Sequence, residues 1–186
     1  MRKLGGISRL STRGVGLALI AVALVAVAAT GVRPAPASAG PGVVALYRLY
    51  SAQSGHHFYT ANWQEAVNAF NHLGYTYEGV AADVSPIPGP GLEPLYRLYN
   101  PQTDDHFYTV NWSEATNAFN NLGYKYEGVA AYVWAQRTTS RTPLYRLYRP
   151  QSSEHFYTTN WSEATNAFNN LGYQYEGITA YVMPAH

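Results

Sequence analysis

Arg48, His57 and Glu78 are the residues of this chain best suited to chemistry, because each returns twice at a step of 49 residues, as Arg97, His106 and Glu127 and again as Arg146, His155 and Glu176. A guanidinium offers a planar fork of donors, a carboxylate only accepts, and an imidazole can do either. Such a set could hydrogen-bond sugar hydroxyls, or it could serve as structural ion pairs, Arg48 with Glu78, that hold a unit's edges together. Tyr59, Tyr108 and Tyr157 follow the histidines by two positions and so share their strand face. Aromatic rings of this kind stack on the apolar faces of pyranose rings, while a few fixed polar groups give direction. The residue before each histidine varies, being His56, Asp105 and Glu154, so the copies are expected to differ in affinity. The candidate ligand contacts are therefore Arg48, His57, Tyr59 and Glu78 in the first copy. Arg97, Asp105, His106, Tyr108 and Glu127 follow in the second, and Arg146, Glu154, His155, Tyr157 and Glu176 in the third.

An active site needs unlike groups converging once, whereas this chain presents one polar set three times. That is the signature of multivalent binding. No Gly-x-Ser-x-Gly elbow, His-Glu-x-x-His pair or phosphate loop occurs. Paired acids for glycoside cleavage could be assembled from Glu78 and a neighbour, but nothing singles them out. Three histidines meeting on an axis would suit zinc, yet a repeat distance does not make them meet. The expectation is a protein that is not an enzyme, with no metal and no cofactor.

The elements that must position these groups repeat with them. Leu46-Tyr47-Arg48-Leu49-Tyr50 has strand composition, a turn spans Ser51 to Gly55, and His57-Phe58-Tyr59-Thr60 reads as the return strand. Asn62 and Glu65, with Asn111 and Glu114 and with Asn160 and Glu163, have the spacing of capping boxes. Trp63, Ala66, Phe70 and Leu73 then fall on one face of a helix, and Gly74 is placed to end it. Tyr75 to Val84 closes the unit as an extended segment bulged at Gly79. The order is strand, strand, helix, strand over residues 45–84, 94–133 and 143–182, joined by Pro/Gly-rich or polar linkers. One unit buries too little apolar surface to stand alone. The expected fold is therefore mainly β with short helices: one domain over 40–186 in which three units form a pseudo-threefold, three-bladed propeller-like ring, with a trefoil-like arrangement as the alternative.

Residues 1–39 have another character. Arg2, Lys3, Arg9 and Arg13 precede an apolar run from Val15 to Ala29, and Ala37-Ser38-Ala39 has the small residues of a cleavage site. This reads as a secretory signal peptide, the run being short for a membrane anchor, so the mature protein is expected outside the cell. From Gly40 onward 7 Lys and Arg stand against 11 Asp and Glu, a net charge of 7 − 11 = −4. An acidic surface without a basic cluster disfavours nucleic acid and anionic membranes as partners. With no cysteine in the chain, stability must come from the core, and all 17 Tyr, 4 Trp and 6 Phe lie after the leader.

The pattern Leu-Tyr-Arg-Leu-Tyr-Asn-Pro, Asp-His-Phe-Tyr-Thr and Gly-Tyr-x-Tyr-Glu-Gly-Val-Ala resembles that of a secreted bacterial tandem-repeat family of unknown function, and it covers nearly all of Leu46 to Val182. The second copy fits it best; the first has Ser51-Ala52 for Asn-Pro and Gly55-His56 for the acidic pair. The resemblance implies a lectin-like, surface-targeting role on cell-surface or wall glycan. A stand-alone form is also similar to the lectin subunits of actinobacterial umbrella toxin particles, which implies large secreted toxin or adaptor proteins as partners. Beside this lectin reading stand two others, a docking module of a secreted complex and a small glycan hydrolase.

Overall fold

The computed structural model describes residues 42–185, and the leader expected at 1–39 lies outside the described residues. The same four elements occur three times: β1 (Val44–Ser51), β2 (His56–Thr60), α1 (Trp63–His72) and β3 (Tyr75–Val84); β4 (Leu92–Asn100), β5 (Asp105–Thr109), α2 (Trp112–Asn121) and β6 (Lys125–Trp134); β7 (Thr142–Arg149), β8 (Glu154–Thr158), α3 (Trp161–Asn170) and β9 (Gln174–Val182). The expected strand, strand, helix, strand order is thus observed. The molecule is mainly β, with curled antiparallel sheets that form a half-barrel and three short helices.

In each unit the first strand is central, flanked by its hairpin partner and by the long last strand, as in the order β2-β1-β3. Arg48 sits opposite Tyr59, and Tyr50 opposite His57. Alternation therefore puts Leu46, Arg48, Tyr50, His57 and Tyr59 on one face of the sheet and Tyr47, Leu49, Phe58 and Thr60 on the other. The register against β3 slips between Arg48 and Leu49, beside Gly79, whose φ of 117° only glycine adopts readily. Gly128 and Gly177 repeat this at 109° and 118°.

Each helix begins where the sequence places it. The Asn62 side chain accepts from the backbone N–H of Gln64 and Glu65, and Asn111 and Asn160 do the same for their helices. The buried stripe differs from the expected one. Ala66 and Ala69 are buried, Trp63 and Phe70 are half-covered, and Leu73 is 59% exposed. A ten-residue helix lies close on the sheet through its alanines, and Leu73 already belongs to the cap, turned out before Gly74 takes φ 76°.

The last strands of the units meet at their ends. Ser85 bridges Tyr132, Trp134 pairs with Tyr181, and Met183 bridges Asp83, so the three contacts form a closed cycle. One core lies where these strands meet, built from Leu46, Leu95 and Leu144, Val84, Val133 and Val182, and Tyr59, Tyr108 and Tyr157. Each helix covers a smaller cluster of its own.

Candidate functional site

The face carrying arginine, histidine and tyrosine does not look outward. Tyr59, Tyr108 and Tyr157, expected on a binding surface, are core residues only 2%, 1% and 1% exposed. The Tyr108 hydroxyl donates to the Tyr59 carbonyl at 2.6 Å and accepts from the Tyr59 N–H at 3.0 Å. Tyr59 treats the backbone of Tyr157 in the same way, at 2.7 and 3.1 Å, and Tyr157 that of Tyr108, at 2.8 and 2.8 Å. The cycle satisfies three hydroxyls and three buried strand amides at once, and the rings meet edge to face at 5.4 to 5.7 Å. Such tyrosines cannot meet a ligand; alternation grouped them correctly with the histidines but could not say what covers that face.

The remaining expected residues collect at the seams between units. Arg97 of β4 donates through Nη1 and Nη2 to both oxygens of Glu65 on α1, each at 2.9 Å, while its Nε lies 2.8 Å from Glu127. Arg146 bridges Glu114 and Glu176 in the same manner. Arg48 lies 3.0 Å from Glu163 and 2.9 Å from Glu78. The expected Arg–Glu pair within a unit is therefore present, but the second carboxylate belongs to the neighbouring unit. Glu65, Glu114 and Glu163 were expected to close capping boxes. Instead Thr60, Thr109 and Thr158 donate to them, and the cap amides of Asn62, Asn111 and Asn160 turn to those threonine hydroxyls. The sequence signal that could have exposed this was a threonine five residues before each glutamate.

Burial works against the charge on Glu65 and Glu114, but the hydrogen bonds from Arg97 and Arg146 outweigh it, and both carboxyls are held below their ordinary range. Glu78 is likewise lowered, against burial, by His57 and Arg48. Each guanidinium also lies over a phenylalanine of the preceding unit: Arg97 5.5 Å from the Phe58 centroid, Arg146 5.3 Å from Phe107 and Arg48 5.7 Å from Phe156.

The variable position before each histidine also faces a seam. Asp105, fully buried, accepts from His155 Nδ1 at 2.6 Å, from its backbone N–H at 2.8 Å and from the Tyr124 hydroxyl at 2.7 Å. Glu154, equally buried, accepts from His57 Nδ1 at 2.7 Å and from the Tyr173 hydroxyl. Neither acid is open to a ligand; each orients a histidine and a tyrosine of the seam. His57, beside both Glu154 and Glu78, is raised above the ordinary imidazole range despite its burial.

Beside the Arg97 and Arg146 bridges the seam opens into an aromatic-walled cleft. Between the second and third units lies a cleft of about 470 Å³, with Phe107, Tyr124 and Tyr148 as aromatic walls and Asn100, Asn117, Glu114, Arg146, His155 and Glu176 as polar ones. The corresponding cleft between the first and second units, about 180 Å³, is lined by Phe58, Tyr75, Asn68, Glu65, Arg97, His106 and Glu127. Tyr124, Tyr148, Asn100 and Asn117 were not among the residues expected at the site. Asn117 is discernible only as the wet side of an amphipathic helix, and the others as turn or strand-end residues.

Among the described residues no group of three or more His, Asp or Glu side chains is placed to hold a metal ion, and no helix is long and apolar enough to cross a membrane.

These features define a class: a mainly β protein of three strand-strand-helix-strand units whose polar residues meet between units. Residues 45–183 match the Domain of unknown function (DUF5648), and the chain belongs to that family. Neither the curated proteins nor the solved structures gave a match.

Proposed function

We propose that this protein is a secreted, non-catalytic glycan-binding module whose sites are the clefts between units. The observation that carries the reading is the 470 Å³ cleft, which pairs tyrosine and phenylalanine walls with amides, carboxylates and a guanidinium already fixed by their own partners. Sugar sites are built this way, from aromatic surface and a few rigid polar groups, in cavities of roughly 300–1,000 Å³. Three units closed into a ring, which the cyclic strand-end bridges support, present the two aromatic-walled clefts on one molecule. Weak sites then gain by avidity on a cell surface or wall. His57 and Arg48 hold the Glu78 carboxyl below its ordinary range, which makes it unsuited to the general-acid half of a hydrolase's carboxyl pair.

Retention on purified cell walls and on a glycan array tests the reading. Asn117→Ala and Tyr148→Ala, which line the cleft, are expected to weaken retention about tenfold each, roughly 1.4 kcal/mol. Ser113→Ala, outside the cleft, should leave it unchanged. Retention indifferent to both cleft variants overturns the assignment.

A second reading has its own observation. Trp112, Tyr126 and Val129 are 47%, 43% and 41% exposed, and Trp161, Tyr175 and Ile178 repeat that apolar patch on the third unit. Such patches suit a protein partner, which supports a role as the targeting subunit of a larger secreted assembly, in line with the resemblance to toxin-particle lectins. Co-purification of an exported partner, lost with Trp112→Ser, is the outcome expected of this reading; unchanged co-purification removes it.

A further inference from the structure

The three seams are built on one plan, and one of them lacks a part. In two seams a buried carboxylate stands between a histidine Nδ1 and a tyrosine hydroxyl: Asp105 between His155 and Tyr124, and Glu154 between His57 and Tyr173. Between the first and second units the matching histidine and tyrosine are His106 and Tyr75, and both line the cleft. The matching acid position is His56. Its ring is not used there, since Nε2 donates to the Ser152 carbonyl of the third unit at 2.9 Å. The Nδ1 of His106 is buried and has no hydrogen-bond partner among the described residues, and its Nε2 is 3.9 Å from Glu127. A buried ring nitrogen left unpaired is unfavourable, and in the tautomer that places the proton on Nδ1 the seam gains from any acceptor that reaches it.

We propose that the cleft between the first and second units binds a carboxylate, which takes up the place that Asp105 and Glu154 fill elsewhere and accepts from His106 and Tyr75. On the glycan reading, on which this refinement rests, the cleft of about 180 Å³ takes only the carboxyl group of an acidic sugar, whose ring stays at its mouth. The surroundings tolerate the charge. Arg97 with Glu65 and Glu127 reproduces Arg146 with Glu114 and Glu176 of the next seam, where His155 and Tyr124 hold the Asp105 carboxyl below its ordinary range against burial. Asp105 itself is committed to His155, and Asp104, bonded to the Tyr99 hydroxyl at 2.9 Å, is the acid of this turn that opposes a bound anion. Burial and Arg97 hold His106 at about 4, against the pull of Asp105, Asp104 and Glu65, so a bound carboxylate draws a proton to the seam.

The test follows the His106 imidazole of the full chain by NMR at pH 6 during titration with sodium acetate, sodium glucuronate and glucose. Both anions are expected to give a saturable shift and to raise the histidine's pKa by about one unit or more, a tenfold linkage, while glucose gives no shift. His56→Glu supplies the missing acid from the chain and should abolish the response. Asp104→Asn removes the opposing charge while His106 and Tyr75 themselves are kept, and should tighten acetate binding several-fold. No shift with either anion, or an undiminished shift in folded His56→Glu, overturns the proposal. An acetate response beside indifferent cell-wall retention keeps the carboxylate site and removes the glycan reading. Cell-wall retention without an acetate response does the reverse.

Discussion

The tyrosine cycle and the histidines set how individual residues govern this protein. Tyr108→Phe removes one hydroxyl but strands two buried backbone groups, the N–H and carbonyl of Tyr59. The expected loss is about 1–3 kcal/mol, read as a lower urea midpoint with an unchanged slope. His57 and His106 respond oppositely to pH. The folded value of His57 lies above its unfolded one, so its stabilising contribution is complete below about 6.5 and fades as pH rises through the folded value. His106 is depressed to about 4, so its contribution is complete above about 6.5 and is lost as pH falls toward 4. Urea unfolding of His57→Gln and His106→Gln from pH 4 to pH 8 checks this. The His57 variant should differ most from wild type on the acid side of 6.5, and the His106 variant should resist acid better than wild type. At about 1.4 kcal/mol for each pKa unit, the His106 effect amounts to a few kcal/mol at most.

At the scale of elements, much was legible because each signal was local. The 49-residue step, the hairpin, the asparagine caps and the bulge glycines each follow from a few neighbouring residues, and the structure contains them all. What covers each face was not legible. Strand alternation places Arg48, His57 and Tyr59 together whether they meet solvent, a ligand or the next unit, and only assembly decides for the last. The same holds for Glu65, Glu114 and Glu163, whose position in the first helical turn suits a cap and an ion pair equally well. A pair of substitutions separates those two roles. Asn111→Ala removes the cap of α2 and should cost about 1 kcal/mol. Glu114→Ala strips Arg146 of its bidentate partner, leaving it only Glu176, and should cost about 2 kcal/mol while distorting the cleft it lines. Equal losses in thermal or urea unfolding contradict the seam role given to Glu114.

At the scale of the whole molecule, the contacts that matter are shared by all three units, which makes the units inseparable. Removing residues 143–186 takes away the Tyr157 backbone that the Tyr59 hydroxyl serves and the Tyr157 hydroxyl that Tyr108 N–H needs. It also strips Glu163 from Arg48, Glu154 from His57, and Tyr181 and Met183 from the open ends of β6 and β3. An open-ended array of self-sufficient repeats survives such trimming, because each repeat contacts only its neighbours and loses one interface. A cyclic arrangement loses two seams and exposes the tyrosines, leucines and valines of its shared core. The chain ending at residue 142 is therefore expected to lack fixed near-ultraviolet dichroism and to aggregate, while the full chain unfolds in one cooperative transition. A monomeric, well-dispersed NMR spectrum from the shortened chain contradicts the cyclic dependence and makes the units modular. The clefts are then interfaces between independent folds, and each could be studied in a two-unit protein.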